Sequence, residues 1–187
     1  MKKLLPWIVA TVALAALLHI ISMWYLPQFL TARAVQRIYA RRQTGVPVNT
    51  MTHGVLRVAG TDTVVRDNPD TVTSLAVYDL SARPLRVKCV IPPQDNYWSV
   101  SFFDWNTDNY RVINDRTAKA KEFEVVLVKP NSQYQQRGNE EVIVAPSARG
   151  IALIRMIVTD RNNKEELAKL SEAQKQSFVE LVADGAY

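Results

Sequence analysis

The 187-residue chain has one cysteine, Cys89, so no intrachain disulfide can form and cysteine usage marks no compartment. Its two histidines are His19, inside an apolar run, and His53. A histidine-dependent triad or histidine-rich zinc site would therefore rest on His53 alone. Glycine is scarce, with six in the whole chain. No G-x-G-x-x-G, P-loop or G-x-S-x-G pattern occurs, and no cofactor is expected. Residues 1–50 have no acidic side chain, only Lys2, Lys3, Arg33, Arg37, Arg41 and Arg42. In the remainder 17 basic side chains face 18 acidic ones. The basic pI thus belongs to the N-terminal segment, and the folded part lacks the basic excess that nucleic acid requires. Internal repeats and low-complexity tracts are absent.

What is present first is a long apolar run, Leu4 to Leu26, "LLPWIVATVALAALLHIISMWYL". As a helix its length is about 35 Å, enough for a bilayer core of about 30 Å. Trp7 lies near one end and Trp24 with Tyr25 near the other, as interfacial aromatics do. Pro6 falls in the first turn, where a missing N–H costs little. The rival reading is a cleaved signal peptide, with Ala32 and Ala34 as a weak cleavage match. The run exceeds the 7–15 apolar residues of such peptides, which favours a retained anchor. Basic groups flank both ends, so the positive-inside rule gives no clean orientation. The short basic tail before the run resembles an export signal, and the expected location is the bacterial inner membrane with a periplasmic domain. The following "LTARAVQRIYARRQTG" continues as helix until Gly45 and Pro47, and its arginines suit anionic headgroups.

From Val55 the pattern changes to short runs rich in β-branched and aromatic residues. They are "VLRVA", "TVVR", "VTSLAVYDL", "LRVKCVI", "YWSVSFFDW", "YRVIN", "FEVVLV", "VIVA" and "IALIRMIV". Separated by Asn, Asp, Pro, Gln and Gly, they predict a mostly β domain, a sandwich or partly closed barrel. Toward the C-terminus, Ser171 with Gln174 forms a capping box and Asn162 with Glu165 a second possible cap. Leu167, Leu170, Gln174, Phe178 and Leu181 recur at helical spacing and predict a helix packed on the sheet. The expected organisation is an anchor over 1–30, a basic helix and linker over 31–53, and the β domain with its C-terminal helix over 54–187.

Two polar runs carry candidate chemistry. In "FDWNTDNYRVIND", Asp104, Asn106, Asp108 and Asp115 approach the ligand spacing of an EF-hand. Asn109 replaces the usual glycine, Asp115 replaces the bidentate glutamate, and both flanks read as strands. The stretch is therefore expected to be a hairpin tip. In "VVRDNPDTVTS", Arg66, Asp67, Asn68, Asp70 and Thr71 surround Pro69, as an Asx-turn network or as part of a polar pocket. Trp98, Trp105 and Tyr110 would supply aromatic platforms, although strand tryptophans are more often core. Asp70 with Asp104 could form a carboxylate pair. Cys89, in an alternating strand, reads as a small buried hydrophobe.

"RDNPDTVTSLAVYDLSARPLRV", "YWSVSFFDWNTDNY", "INDRT" and "VIVAPSARGIALIRMIV" together resemble the bacterial family Domain of Unknown Function 1254, over about residues 54–182. Arg66, Asn68, Asp70, Thr71 and Ser74 match its first motif, with Asp67 where the family has Pro and Thr73 where it has Tyr. Tyr97, Trp98, Ser99, Val100, Asp104, Thr107 and Asn109 match its second, and Arg116 and Arg155 match two recurrent arginines. "VKPNSQYQQRGNEE" stands where the family usually has a Gly-Pro-rich loop. The resemblance implies a mostly β fold and a companion, Domain of Unknown Function 1214, absent from this chain and expected as a separate protein. It implies no reaction. The expectation is a membrane-anchored accessory or interaction module of the envelope, touching lipid and a protein partner but no nucleic acid. The alternative is a ligand-binding or hydrolytic domain for envelope glycans or small molecules. Its site would combine Arg66, Asn68, Asp70, Trp98, Asp104, Trp105, Asn109 and Arg116.

Overall fold

Period-two alternation of apolar and polar residues makes strands with one buried face, and it governs most of the chain after residue 70. The computed structural model describes residues 4–39, 45–56, 68–92, 96–118 and 120–183. Its strands are β1 (Thr50–His53), β2 (Thr71–Asp79), β3 (Leu85–Val90), β4 (Trp98–Asp104), β5 (Asn109–Asn114), β6 (Glu122–Val128), β7 (Glu141–Val144), β8 (Arg149–Ile157) and β9 (Phe178–Leu181). They form two sheets, β1-β2-β8-β4-β5 and β7-β6-β3-β9. All pairings are antiparallel except β6 with β7. The domain is therefore a sandwich, not a closed barrel.

The sheets enclose Val72, Ala76, Tyr78, Leu85, Val87, Cys89, Trp98, Val100, Phe102, Val125, Leu127, Ala152, Ile154 and Met156. At one margin β1 neighbours β9. At the other, Arg111 of β5 forms an ion pair with Glu141 of β7. Cys89 is fully buried, and burial pushes its thiol well above the usual range. Gly150 is required in β8: a Cβ there would lie 2.2 Å from the Phe103 carbonyl oxygen and 2.3 Å from the Tyr78 hydroxyl.

Seven of the expected strand runs are present. Two more fall wholly or partly on 57–67, outside the described residues, where Val55 and Leu56 just before them are not in a strand. β1 was not expected. It lies in the stretch assigned to the linker and places His53 at its last position. β9 replaces the end of the expected C-terminal helix. That helix, α2 (Lys164–Gln176), is capped by neither Asn162 nor Ser171. Asn163 caps it, accepting from the Glu165 and Glu166 amides at 3.1 Å. Ser177 then takes an extended backbone, and its hydroxyl accepts from Val90 N at 2.9 Å, turning Phe178 into β9. Leu170 and Ala173 of α2 close one end of the core.

Helix α1 (Leu5–Ile38) runs unbroken across the boundary expected at residue 30. Its 34 residues extend about 51 Å. The apolar part is exposed, and the helix is long and apolar enough to span a membrane. Its last turns are different. Thr31, Val35 and Tyr39 are buried at 5%, 3% and 4% exposure, one stripe at i, i+4, i+8. Val35 and Tyr39 pack with Val77, against Leu75, Val46, Trp105 and Ile151. The Tyr39 hydroxyl lies 2.8 Å from Thr52 Oγ1. α1 thus docks on the outer face of the larger sheet, arriving over the end that carries Asp79 and the β4–β5 hairpin.

Candidate functional site

The hairpin tip is built by Asp104. Its Oδ1 accepts from Asn106 N at 2.8 Å and Asp108 N at 3.0 Å, while its own amide donates to the Asp108 carbonyl at 3.0 Å. Thr107 takes a positive φ of 74° at the turn. The Asn109 amide, with its nitrogen turned inward, donates to the Phe102 and Arg111 carbonyls at 3.2 and 3.1 Å. These polar groups are spent on the turn, and strands flank it on both sides, which excludes the EF-hand arrangement. Trp105 is half-buried against the α1 stripe, not displayed as a platform.

The second polar run folds as a separate turn. Asn68 Oδ1 accepts from Asp70 N at 2.9 Å, and Thr71 Oγ1 donates to the Asn68 carbonyl at 3.1 Å. The Asp70 carbonyl takes Val158 N at 2.8 Å, and its carboxylate lies 3.9 Å from Arg161 Nε. Trp98 is a core residue, 3% exposed, with its ring 5.9 Å from that of Phe123. Arg116 is exposed beyond β5, its amide donating to Asn114 Oδ1 at 3.0 Å. Arg66 lies outside the described residues.

The described candidates fall into two groups. Asp104 pairs in register with Gly150, and Gly150 with Tyr78, whereas Trp98 pairs with Met156 and Thr71 with Ile157. The seven steps along the strand from Thr71 to Tyr78 extend about 24 Å. Asp104, Trp105 and Asn109 therefore stand at the end where α1 arrives, and Asn68, Asp70, Trp98 and Arg116 at the opposite end. They do not share a concavity, and Asp70 and Asp104 are too far apart to work as a pair.

His53 does meet a serine. Its Nδ1 is 2.9 Å from Ser74 Oγ, and that oxygen accepts from Gln174 Nε2 at 3.2 Å. Gln174 also points its nitrogen at the Gly54 and Thr73 carbonyls, both at 3.2 Å. A catalytic triad needs its third group on the base, with the nucleophile open to substrate. Here the third group bonds the serine, and Ser74 is fully buried. The network fastens α2 to β1 and β2. Burial lowers the His53 pKa, favouring the neutral ring that accepts from Ser74.

The segment "VKPNSQYQQRGNEE" is also ordered by polar contacts. Glu140, 5% exposed, accepts from the Tyr134 hydroxyl and, at 2.8 Å, from Arg137 N. Arg86 reaches Glu140, Glu180 and Glu124 at 3.5, 3.0 and 3.3 Å. Burial pushes the Glu140 carboxyl upward, but these hydrogen bonds and the Arg86 charge outweigh it and hold the group ionised. Sequence reasoning missed this cluster and the α1 stripe. The signal for the stripe was Thr31, Val35 and Tyr39 at four-residue spacing, hidden among arginines.

Comparison with known proteins agrees with this architecture. Residues 48–180 match the family described as "Protein of unknown function (DUF1254)". No curated protein matches the chain. The VPA0106 protein from Vibrio parahaemolyticus has a similar structure, with TM-score 0.64 and 16% identity, over 86% of this chain and 37% of that one. An uncharacterised protein from Burkholderia cenocepacia aligns with TM-score 0.44 and 17% identity, over 60% and 32% of the two chains. The chain thus spans little more than a third of the Vibrio protein, and the likeness to it at such identity is one of fold.

Proposed function

The chain belongs to the DUF1254 family, and on that premise we propose that it acts as a membrane-anchored accessory module of the cell envelope, working with a protein partner. One observation carries this reading. An exposed apolar helix of spanning length continues without a break into a stripe that docks on the β domain. The last turns of the helix are part of the domain's packing, which suits a retained anchor better than a removed leader. The proposed location is the inner membrane, with the domain on the periplasmic side.

The partner is proposed on two grounds. The same fold occurs within a much longer chain in the Vibrio protein, and the family resemblance implies a companion, Domain of Unknown Function 1214. A separate protein carrying that domain is the expected partner. Among the described residues β5 and β7 each pair on one side only, and Val112 and Val144 lie exposed on them. These edges offer a contact surface. The test is purification from the native membrane in mild detergent, with co-eluting chains identified by mass spectrometry. A stoichiometric companion is expected. A lone, monodisperse protein would remove the proposal.

A further inference from the structure

α1 covers the outer face of the five-stranded sheet only toward one end, over Leu75, Val77 and Ile151. On the other half of that face, Arg155 of the central strand β8 stands opposite Thr73 of β2 on one side and Ser99 of β4 on the other. Facing residues on neighbouring strands have Cβ atoms about 4.5–5.5 Å apart. The three side chains therefore form one row across the middle of the sheet.

Two atoms in this row are without partners. Ser99 is 1% exposed and its Oγ makes no hydrogen bond, and Arg155 Nε is buried and also unbonded. No carboxylate among the described residues pairs with the guanidinium. A buried donor left unbonded carries its full desolvation penalty, and side chains that merely fill space would be better served by apolar atoms. A guanidinium beside hydroxyl groups matches the planar oxygen fork of a carboxylate or the face of a phosphate. Leu153 and Ile157 flank Arg155 on the same face of β8, so a ligand's body would meet apolar surface.

We propose that Arg155 and Ser99, with Thr73 beside them, form a binding site for an oxyanion, the carboxylate or phosphate group of a small molecule. The site goes beyond the accessory reading and does not depend on it. It is distinct from both turn clusters.

The test uses the full chain in detergent micelles. Thermal unfolding is followed by circular dichroism with sodium acetate or inorganic phosphate titrated against chloride at matched ionic strength. The expected result is a saturable rise in midpoint with at least one anion. Arg155→Gln abolishes the saturable part. Ser99→Ala weakens the apparent dissociation constant about tenfold, as loss of one hydrogen bond to a charged group does. Without anion, Ser99→Ala unfolds no earlier than the parent, because it loses an unpartnered hydroxyl. A response to acetate alone identifies a carboxylate ligand, and to phosphate alone a phosphate ligand. A rise that never saturates, or one equal in Arg155→Gln, is a general salt effect and overturns the proposal. If Arg155→Gln does not fold, Ser99→Ala decides, and unchanged affinity there also overturns it.

Discussion

Replacing Gln174 by glutamate exchanges one nitrogen for an oxygen at a place lined by acceptors. Gln174 is 5% exposed, and its Nε2 lies 3.2 Å from the Gly54 carbonyl, the Thr73 carbonyl and Ser74 Oγ. A carboxylate there would face two carbonyl oxygens with no cation beside it among the described residues, so the folded protein must hold it protonated. Its folded pKa is thereby raised above the unfolded value of about 4.3. The sign follows. Below pH ~4.3 both states carry the proton, and the variant loses only one N–H hydrogen bond, about 1 kcal/mol. As pH rises toward the folded pKa, stability falls by about 1.4 kcal/mol per unit. At pH ~7.5 the added loss approaches 4 kcal/mol, for a total of about 5, comparable with the whole stability of many domains. Gln174→Met removes the same donors without introducing a charge and should cost about 1–3 kcal/mol at every pH. Urea unfolding in micelles, followed by circular dichroism between about pH 4 and 7.5, separates the two. If Gln174→Glu stays within about 1 kcal/mol of the parent at pH ~7.5, or differs from Gln174→Met by a constant amount, the assigned network is wrong.

Four further outcomes are expected. Gly150→Ala should cost at least ~3 kcal/mol or prevent folding, and Tyr78→Phe should not rescue it, because the Phe103 carbonyl remains in the way; soluble yield and unfolding midpoint report this. Asp104→Ala should lose about 2 kcal/mol by stranding the Asn106 and Asp108 amides, whereas Asp104→Asn keeps an acceptor and should stay within ~1 kcal/mol; urea midpoints decide. Val35→Ala should loosen α1 from the sheet by about 2 kcal/mol, read as faster proteolysis between α1 and β1 with little change in the midpoint of the sandwich. Because burial lowers the His53 pKa below 6.5, the unfolded chain takes up that proton first. The parent should therefore lose stability as pH falls below 6.5, and His53→Gln should show a smaller loss; melts across that window compare them.

The sandwich was legible because seven strands, four to nine residues long, are rich in β-branched and aromatic residues and bounded by turn residues. β1 was not, since "TMTH" is four residues of mixed polarity and becomes a strand only by pairing with Thr52 opposite Leu75 and His53 opposite Ser74. Phe178 and Leu181 happened to continue the spacing of Leu170 and Gln174, and only the long-range bond between Ser177 and Val90 breaks the helix there. The polar motifs were recognisable as motifs, but sequence order conceals the length of a sheet. Asp70 stands just before β2 and Asp104 is the last residue of β4, and nothing local says that they sit at opposite ends. The row of Thr73, Ser99 and Arg155 is invisible for the same reason, because it is assembled by register across three strands far apart in the chain.

The docking of α1 has a mechanical consequence. With Val35 and Tyr39 fixed to the sheet, the last turns of α1 move with the sandwich, and Pro27, which removes one backbone hydrogen bond, is the place where the helix bends most easily. If that helix spans a bilayer as proposed, its tilt answers to hydrocarbon thickness and to neighbouring helices. The sandwich leans with the part of the helix that follows Pro27. A lean of about 10° then becomes a displacement of about 4 Å over the ~24 Å that β2 extends, so bilayer thickness sets which surface the domain offers to whatever stands beside it.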